Sequence, residues 1–436
     1  MPIKQIALFL VVSAVGMFTM PAHAVLNIEI TQGVAGAVPV AIAPFAWEGD
    51  KTQSAPLDIA AIVRADLVRS GRFESLPPKD MLARPHVDSQ INYANWRIFQ
   101  TENLVVGSIN SIGEDRYDIR FRLYDVFKGK QMDGFSLFAT GENLRRAAHQ
   151  VSDLIYEKLT GQRGAFSTSV AYVTAQGVGR ERQYALWVSD ADGENPQPMI
   201  RSNEPILSPA WSPDGTHIAY SSLEDSGHQV VFIQEVGSGQ REKVSYSAGL
   251  NGAPSWSPDG QSLALSLSKD GNAEIYVIDL RGKNFRRITR HWAIDTEPVW
   301  MPDGKAIIFT SDRGGRPQLY RIQLGEQSAE RLTFEGKYNS RATVSADGKL
   351  LGMIHADNGK YRVAVQDLET GNLKVLTKGA LDESPSFAPN GSMIIYATSS
   401  EGKGVLAAVS VDGGVHQRLS VQEADVREPA WSPFSN

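Results

Sequence analysis

One phrase recurs through the second half of the chain at a nearly fixed interval. Trp211-Ser212-Pro213-Asp214-Gly215 returns as Trp256-Ser257-Pro258-Asp259-Gly260 and as Trp300-Met301-Pro302-Asp303-Gly304. Looser copies follow as Val344-Ser345-Ala346-Asp347-Gly348 and Phe387-Ala388-Pro389-Asn390-Gly391, and a sixth, Trp431-Ser432-Pro433, is cut short. The leading residues are 45, 44, 44, 43 and 44 positions apart. Each interval divides into four short apolar runs separated by polar turns; in the second copy these are 254–257, 263–267, 275–279 and 285–289. Asp-Gly marks a tight hairpin because glycine takes the positive φ the turn requires. Four antiparallel strands repeated with a period of 40–50 residues are the pattern of a β-propeller blade.

The ends of the repeat region fix the number of blades. The last copy supplies a first strand alone, whereas residues 169–174, 185–190 and 197–200 supply second, third and fourth strands with no first strand before them. The C-terminal strand is therefore expected to complete the blade that residues 169–200 begin, closing a ring of six and leaving no open sheet edge along the ring. The repeated Trp, Pro, Asp and Gly are scaffold on this reading. Six copies pointing six ways cannot converge on one site.

Function is then expected where the copies differ. The residues before each Pro-x-Trp are Ser208, Ala253, Glu297, Arg341, Ser384 and Glu428, preceded by Leu207, Gly252, Thr296, Ser340, Glu383 and Arg427. These positions are expected on loops around one mouth of the channel, where a rigid scaffold presents variable side chains.

Residues 1–24 read as a cleaved secretory leader: Lys4, then an uncharged apolar run over 6–17, then Ala22-His23-Ala24. Beyond it the spacing predicts an α/β domain over 25–162 and the propeller over 163–436. Val25, Leu26, Asn27, Ile28, Glu29, Ile30 and Thr31 alternate apolar with polar, a half-buried strand cut off by Gly33. Such a strand belongs either to the edge of its own domain's sheet or to the sheet edge of a partner. Residues 38–45, 104–109 and 117–124 read as further strands, and 58–70 and 144–160 as helices capped by Gly71 and Gly161. Arg145-Arg146 is expected on the solvated side of the second helix.

Chemistry finds little footing. With a net charge of −6 the chain lacks the basic balance of a nucleic-acid binder. It has no cysteine, so no thiolate or disulfide chemistry is open to it. There is no G-x-S-x-G nucleophile elbow of the kind that accompanies peptidase-gating propellers. The eight histidines are scattered singly and are expected at surfaces and turns. Asp190-Ala191-Asp192-Gly193-Glu194 begins like a calcium loop but matches a turn between third and fourth strands better. No metal, cofactor or catalytic residue is expected; a propeller that binds a small molecule or ion in its channel, or gates a peptidase, is the alternative.

The α/β segment and its order before the repeats are more specific than the repeats themselves. Ser70-Gly71-Arg72-Phe73-Glu74-Ser75-Leu76, Leu104-Val105-Val106-Gly107, Phe121-Arg122-Leu123-Tyr124-Asp125-Val126, residues 148–161 and the junction Gly164-Ala165-Phe166 run in sequence before the propeller. In this the whole chain resembles the TolB family of the Tol–Pal system. The resemblance implies a monomeric, non-enzymatic periplasmic protein that links two partners to maintain outer-membrane integrity and support cell division. It implies that the propeller mouth receives the lipoprotein Pal through Asn251, Ala253, Thr296 and Glu297, with Arg341, Glu383 and Glu428 beside them. Leu250 stands where related chains can carry a histidine. The resemblance further implies that residues 25–33 engage the C-terminal domain of TolA, and that Pal binding at the mouth orders or hides that strand.

Overall fold

The structure is a computed structural model, and it describes residues 27–32, 36–50, 52–225, 227–420 and 424–434. The leader, Val25, Leu26 and Gly33 lie outside the described residues. Residues 169–431 form a six-bladed propeller in which blades 1 to 5 each run in order from the innermost strand outward. Their innermost strands are Ile206–Trp211, Asn251–Trp256, Asp295–Trp300, Tyr338–Val344 and Asp382–Phe387. Blade 6 has Asp425–Trp431 innermost, paired antiparallel to Ser169–Gln176, so the C-terminal strand closes the ring.

The repeated residues hold the ring as their types require. Trp256 Nε1 donates to Ala210 O of blade 1 at 3.0 Å, and Trp211 Nε1 to Ala430 O of blade 6 at 3.0 Å. Each indole thus fills an inter-blade seam and ties it with one hydrogen bond. In the turns, Ser257 Oγ donates to Asp259 Oδ1 at 2.6 Å while Gly260 takes φ +69°. The arrangement recurs at Ser345, Asp347 and Gly348.

The preceding domain carries a mixed sheet in the order Phe73–Ser75, Val38–Ile42, Asn103–Gly113, Arg116–Asp125, Lys130–Thr140. The first two pairings are parallel and the last two antiparallel. Helices α1 (Ile59–Arg69) and α3 (Leu144–Thr160) cover one face through Ile59, Val63, Leu67, Val151 and Ile155. The short helix α2 (Tyr93–Ile98) covers part of the other with buried Trp96. Asp58 caps α1 through Ala61 N, and Gly161 ends α3 in the left-handed region at φ +75°.

Antiparallel order puts the turns between first and second strands, and between third and fourth, at one end of the propeller. The α/β domain packs there, against blades 5 and 6. Arg69 Nη1 donates to Ala191 O at 2.6 Å, and Gln417 Nε2 to Arg69 O at 2.5 Å. Gln162 Nε2 donates to Asn390 O at 2.7 Å, and Arg72 pairs with Asp412 at 3.2 Å.

Two expectations are corrected at this seam. Arg145 does not face water: it pairs across the seam with Asp190, at 3.4 Å, and with Asp192, whereas Arg146 is exposed. His149, expected at a surface, is 1% exposed and bonded to Asp66. His355 is likewise buried, against Asn339 Oδ1 at 2.9 Å.

The N-terminal strand does not join its own domain's sheet. Asn27–Gln32 pairs antiparallel with His416–Ser420, the outermost strand of blade 5, making that blade five-stranded. Its own sheet has Phe73–Ser75 beside Val38–Ile42, while blade 5 offers an otherwise unpaired outer edge, which an extended segment satisfies with backbone hydrogen bonds.

Candidate propeller-mouth binding site

The other end of the propeller, where fourth strands lead into the next blade's first strand, carries no α/β domain. A channel of about 380 Å³ runs in from it, lined by Ser208, Ala253, Glu297, Arg341, Ser384 and Glu428 among others. These six do not sit on loops. Each lies within an innermost strand at a break in register, between Leu207 and Ala210, Gly252 and Ser255, and at the equivalent points of the other four blades. All six are left-handed, with φ of 52°, 48°, 55°, 50°, 50° and 51° in chain order. A bulge of this kind turns the side chain out of the sheet plane, here toward the channel. Holding non-glycine residues in this region costs of order 1–2 kcal/mol each, and such strain gathers at functional sites.

Arg341 dominates the channel. Its Nη1 donates to Ser384 Oγ at 2.8 Å and lies 3.4 Å from Glu428 Oε2, and its Nε lies 3.3 Å from Glu297 Oε1. Burial opposes the charge, but the carboxylates of Glu428, Glu297 and Glu383 outweigh it and raise the guanidinium above its ordinary value. Glu297 Oε2 also accepts from Thr310 Oγ1 at 2.9 Å and from Arg341 N at 3.1 Å; Glu428 Oε2 accepts from Ser208 N at 3.1 Å.

Ala253, Thr296, Glu297, Arg341 and Glu383 are half-buried at this mouth, and Glu428 is nearly buried. Asn251 is placed differently. Its side chain has no exposure and is engaged fully by the loop before it: Oδ1 accepts from Ser245 Oγ at 2.7 Å and Ser247 N at 3.0 Å. Its Nδ2 donates to Ser247 O at 2.6 Å and Gly249 O at 3.1 Å. Asp295, Asn339 and Asp382 hold the same position in blades 3 to 5 and are buried too. Asn251 therefore positions the loop carrying Tyr246 and Leu250.

Sequence reading missed the apolar rim. Tyr246, Trp292, Ile294, Phe334 and Leu381 lie on the loops entering blades 2 to 5, and each is at least half exposed. An arc of large exposed apolar side chains on one face is the kind of patch that interaction surfaces carry. A signal existed: an aromatic stands ten, eight and ten residues before Trp256, Trp300 and Val344. It falls in a segment whose length varies between repeats, so no fixed register exposes it.

Comparison with known proteins agrees with this architecture. Residues 26–132 match the model of the TolB amino-terminal domain, and residues 156–435 that of the TolB beta propeller domain. The Tol–Pal system protein TolB of Nitrosococcus oceani is 53% identical over 411 residues, 94% of each chain. That of Thioalkalivibrio sulfidiphilus is 51% identical over 414 residues, 95% of each. The crystal structure of TolB from Acinetobacter baumannii superposes with a TM-score of 0.86 at 42% identity, covering 94% of this chain and all of that one. With both domains matched in order and relatives above half identity along nearly its whole length, the chain belongs to the TolB family of the Tol–Pal system.

Proposed function

We propose that this protein acts by binding and not by catalysis, as a monomeric periplasmic link of the Tol–Pal system that receives Pal at the propeller mouth and offers its N-terminal strand to TolA, serving outer-membrane integrity and cell division. The observation that carries the reading is the combination at one mouth of an exposed apolar arc, Tyr246 to Leu381, with a polar ring inside it. Buried apolar anchors supply affinity at such interfaces and the polar groups within them supply specificity. Ala253, Thr296 and Glu297 are the contact residues on this reading, Arg341, Glu383 and Glu428 form the polar floor, and Asn251 shapes the loop.

The ionisable groups of the channel are paired with one another, which favours a static recognition surface over acid–base work. Among the described residues no helix is long and apolar enough to cross a membrane. The strand for TolA is residues 25–33; of these, Glu29, Ile30 and Thr31 are exposed on the edge of blade 5, with Thr31 Oγ1 donating to His416 O at 3.2 Å. A short strand held on an edge by backbone bonds is a segment that can exchange between edges. Its first described residue, Asn27, pairs with Ser420, at the mouth end of blade 5, so binding at the mouth and release of the strand share one blade.

Calorimetric titration of protein beginning at Val25 with soluble Pal tests the proposal, run beside the variant Ala253→Arg/Thr296→Arg. Tight binding by the parent and none by the variant, with equal melting temperatures, is expected. Equal binding by both, or none by either, overturns it.

A further inference from the structure

The seam between the two domains contains a buried charge cluster that fastening alone does not explain. His149 of α3 is 1% exposed, its Nδ1 2.7 Å from Asp66 Oδ2 of α1. Asp66 is itself 1% exposed and fully engaged: Oδ2 also accepts from Ser152 Oγ at 2.7 Å, and Oδ1 pairs with Arg69 at 2.8 Å. The far side of the imidazole faces the propeller. Nε2 lies 3.5 Å from Asp192 Oδ2, on the turn between the third and fourth strands of blade 6, and has no hydrogen-bond partner. Around it stand Arg69 of α1, Arg145 of its own helix, Asp190 and Asp192 of the propeller turn, and Asp153 one turn along α3.

Charge counting decides what this arrangement is. Asp66, Asp190 and Asp192 face two guanidinium groups; Asp153, one turn along α3, is held instead by Phe166 N at 2.7 Å and Ser167 Oγ at 2.5 Å. With a neutral imidazole the cluster is short of positive charge in a medium where unpaired charge is expensive. The ligand atoms of Asp66, His149 and Asp192 lie within 4.8 Å of one another, yet a divalent cation there has to displace Arg69 and Arg145 from their carboxylates. A proton on His149 supplies the missing charge without displacing anything.

We propose that His149 is a proton-operated latch between the α/β domain and the propeller. As imidazolium it bridges Asp66, within its own domain, to Asp192 of blade 6. Without the proton the Asp66 contact survives through Nδ1–H, whereas Nε2 turns a lone pair toward the Asp192 carboxylate and the cross-domain arm becomes repulsive. The domains then keep Arg69, Arg72, Arg145 and Gln417 as ties and gain freedom to rock. Burial disfavours the charged ring, but the Asp66 and Asp192 carboxylates outweigh it and raise the His149 pKa. A raised value means that the stabilisation is complete below the unfolded histidine value of about 6.5 and is lost as pH rises through the folded one. The latch thus tightens as its surroundings acidify.

The chain lacks cysteine, so a Lys79→Cys/Glu369→Cys pair at exposed positions of the two domains takes spin labels without background. The full chain is measured from pH 5.5 to 9 by dipolar spectroscopy, with His149 followed by NMR of its ring carbon. Expected is a narrow inter-domain distance distribution at low pH that broadens at a midpoint above 6.5, coincident with the His149 titration. His149→Gln flattens the profile. Asp192→Asn moves ring titration and midpoint together to lower pH, and supplies the test where His149→Gln does not fold. A distribution unchanged across the range, a midpoint that persists in His149→Gln, or a ring titrating below the free value overturns the proposal.

Discussion

Replacing Asn251 with alanine separates two ways in which a mouth residue can matter. The side chain makes four hydrogen bonds, to Ser245 Oγ, Ser247 N, Ser247 O and Gly249 O, from a position with no exposure. Asn251→Ala strands one backbone N–H and two carbonyls of a tight loop. A buried group left unsatisfied costs about 1–3 kcal/mol. Tyr246 beside it is exposed, so water reaches part of the loop once the side chain is gone, which brings the expected total to about 2–4 kcal/mol. At roughly 2–4 °C per kcal/mol for a domain of this order of size, the propeller transition falls by about 5–15 °C. Differential scanning calorimetry reads this directly, with Asn251→Asp as the companion. The aspartate keeps both accepting interactions but sets a carboxylate against Ser247 O and Gly249 O, so its deficit is expected to shrink as pH falls toward 4. Should Asn251→Ala melt within a degree of the parent yet lose Pal, the side chain contacts the partner itself and the loop-positioning argument is wrong.

Two further outcomes follow from the turns. Gly71 sits at φ +69°, and a Cβ there meets Val415 Cγ2 of the propeller at 2.5 Å. Gly71→Ala is expected to cost about 1–3 kcal/mol through backbone strain and overpacking. Gly71→Ala/Val415→Ala should recover only the packing share; full recovery on thermal melting rules out the strain contribution. Asp259 is held below the ordinary carboxylate range by the Ser257 hydroxyl and then by Gln261 N, and Asp347 chiefly by Ser345. Depressed folded values mean that these turns contribute stability above about pH 4 and lose it as pH falls through the depressed values. Ser257→Ala/Ser345→Ala should therefore flatten the melting-temperature slope between about pH 4 and 2, and an unchanged slope contradicts the assignment.

The propeller was legible because its signals are local and repeated. Asp-Gly turns, alternating strands and a tryptophan at the repeat position of four of the six blades each state the same answer, and the missing first strand before Ser169 identified the closing blade. What escaped depends on distant partners. Lys130–Thr140 shows little alternation, since it is an edge strand with exposed residues on both faces and a register break opposite Leu123 and Tyr124. Arg145 reads as a solvated helix position until blade 6 is set against it. The docking of Asn27–Gln32 depends on which sheet edge is free, a property of the assembled fold. The six left-handed residues escaped for another reason. Only glycine, asparagine or aspartate announce that conformation, and Ser, Ala, Glu, Arg, Ser and Glu stand there instead.

Those six bulges explain how the mouth can be rigid and still open. Glu428 of blade 6 takes Ser208 N of blade 1, and Glu297 of blade 3 takes Arg341 N of blade 4. Arg341 reaches Ser384 of blade 5 and Glu428 of blade 6. Side chains of the ring thus stitch blades 3, 4, 5, 6 and 1 to one another around the channel. Blade 2 contributes only the methyl of Ala253; it is joined to blade 3 through Ser266 Oγ, which accepts from Glu297 N at 3.0 Å. The loops on either side of that methyl each present an exposed aromatic, Tyr246 on one and Trp292 on the other. The apolar arc on the loops entering blades 2 to 5 thus overlaps the polar stitching at blades 3 to 5, and at blade 2 the arc continues where the ring offers no charged side chain. A substitution at Ala253 is therefore expected to alter the shape of the mouth at blade 2 while leaving the ion pairs of Arg341 with Glu297 and Glu428 in place.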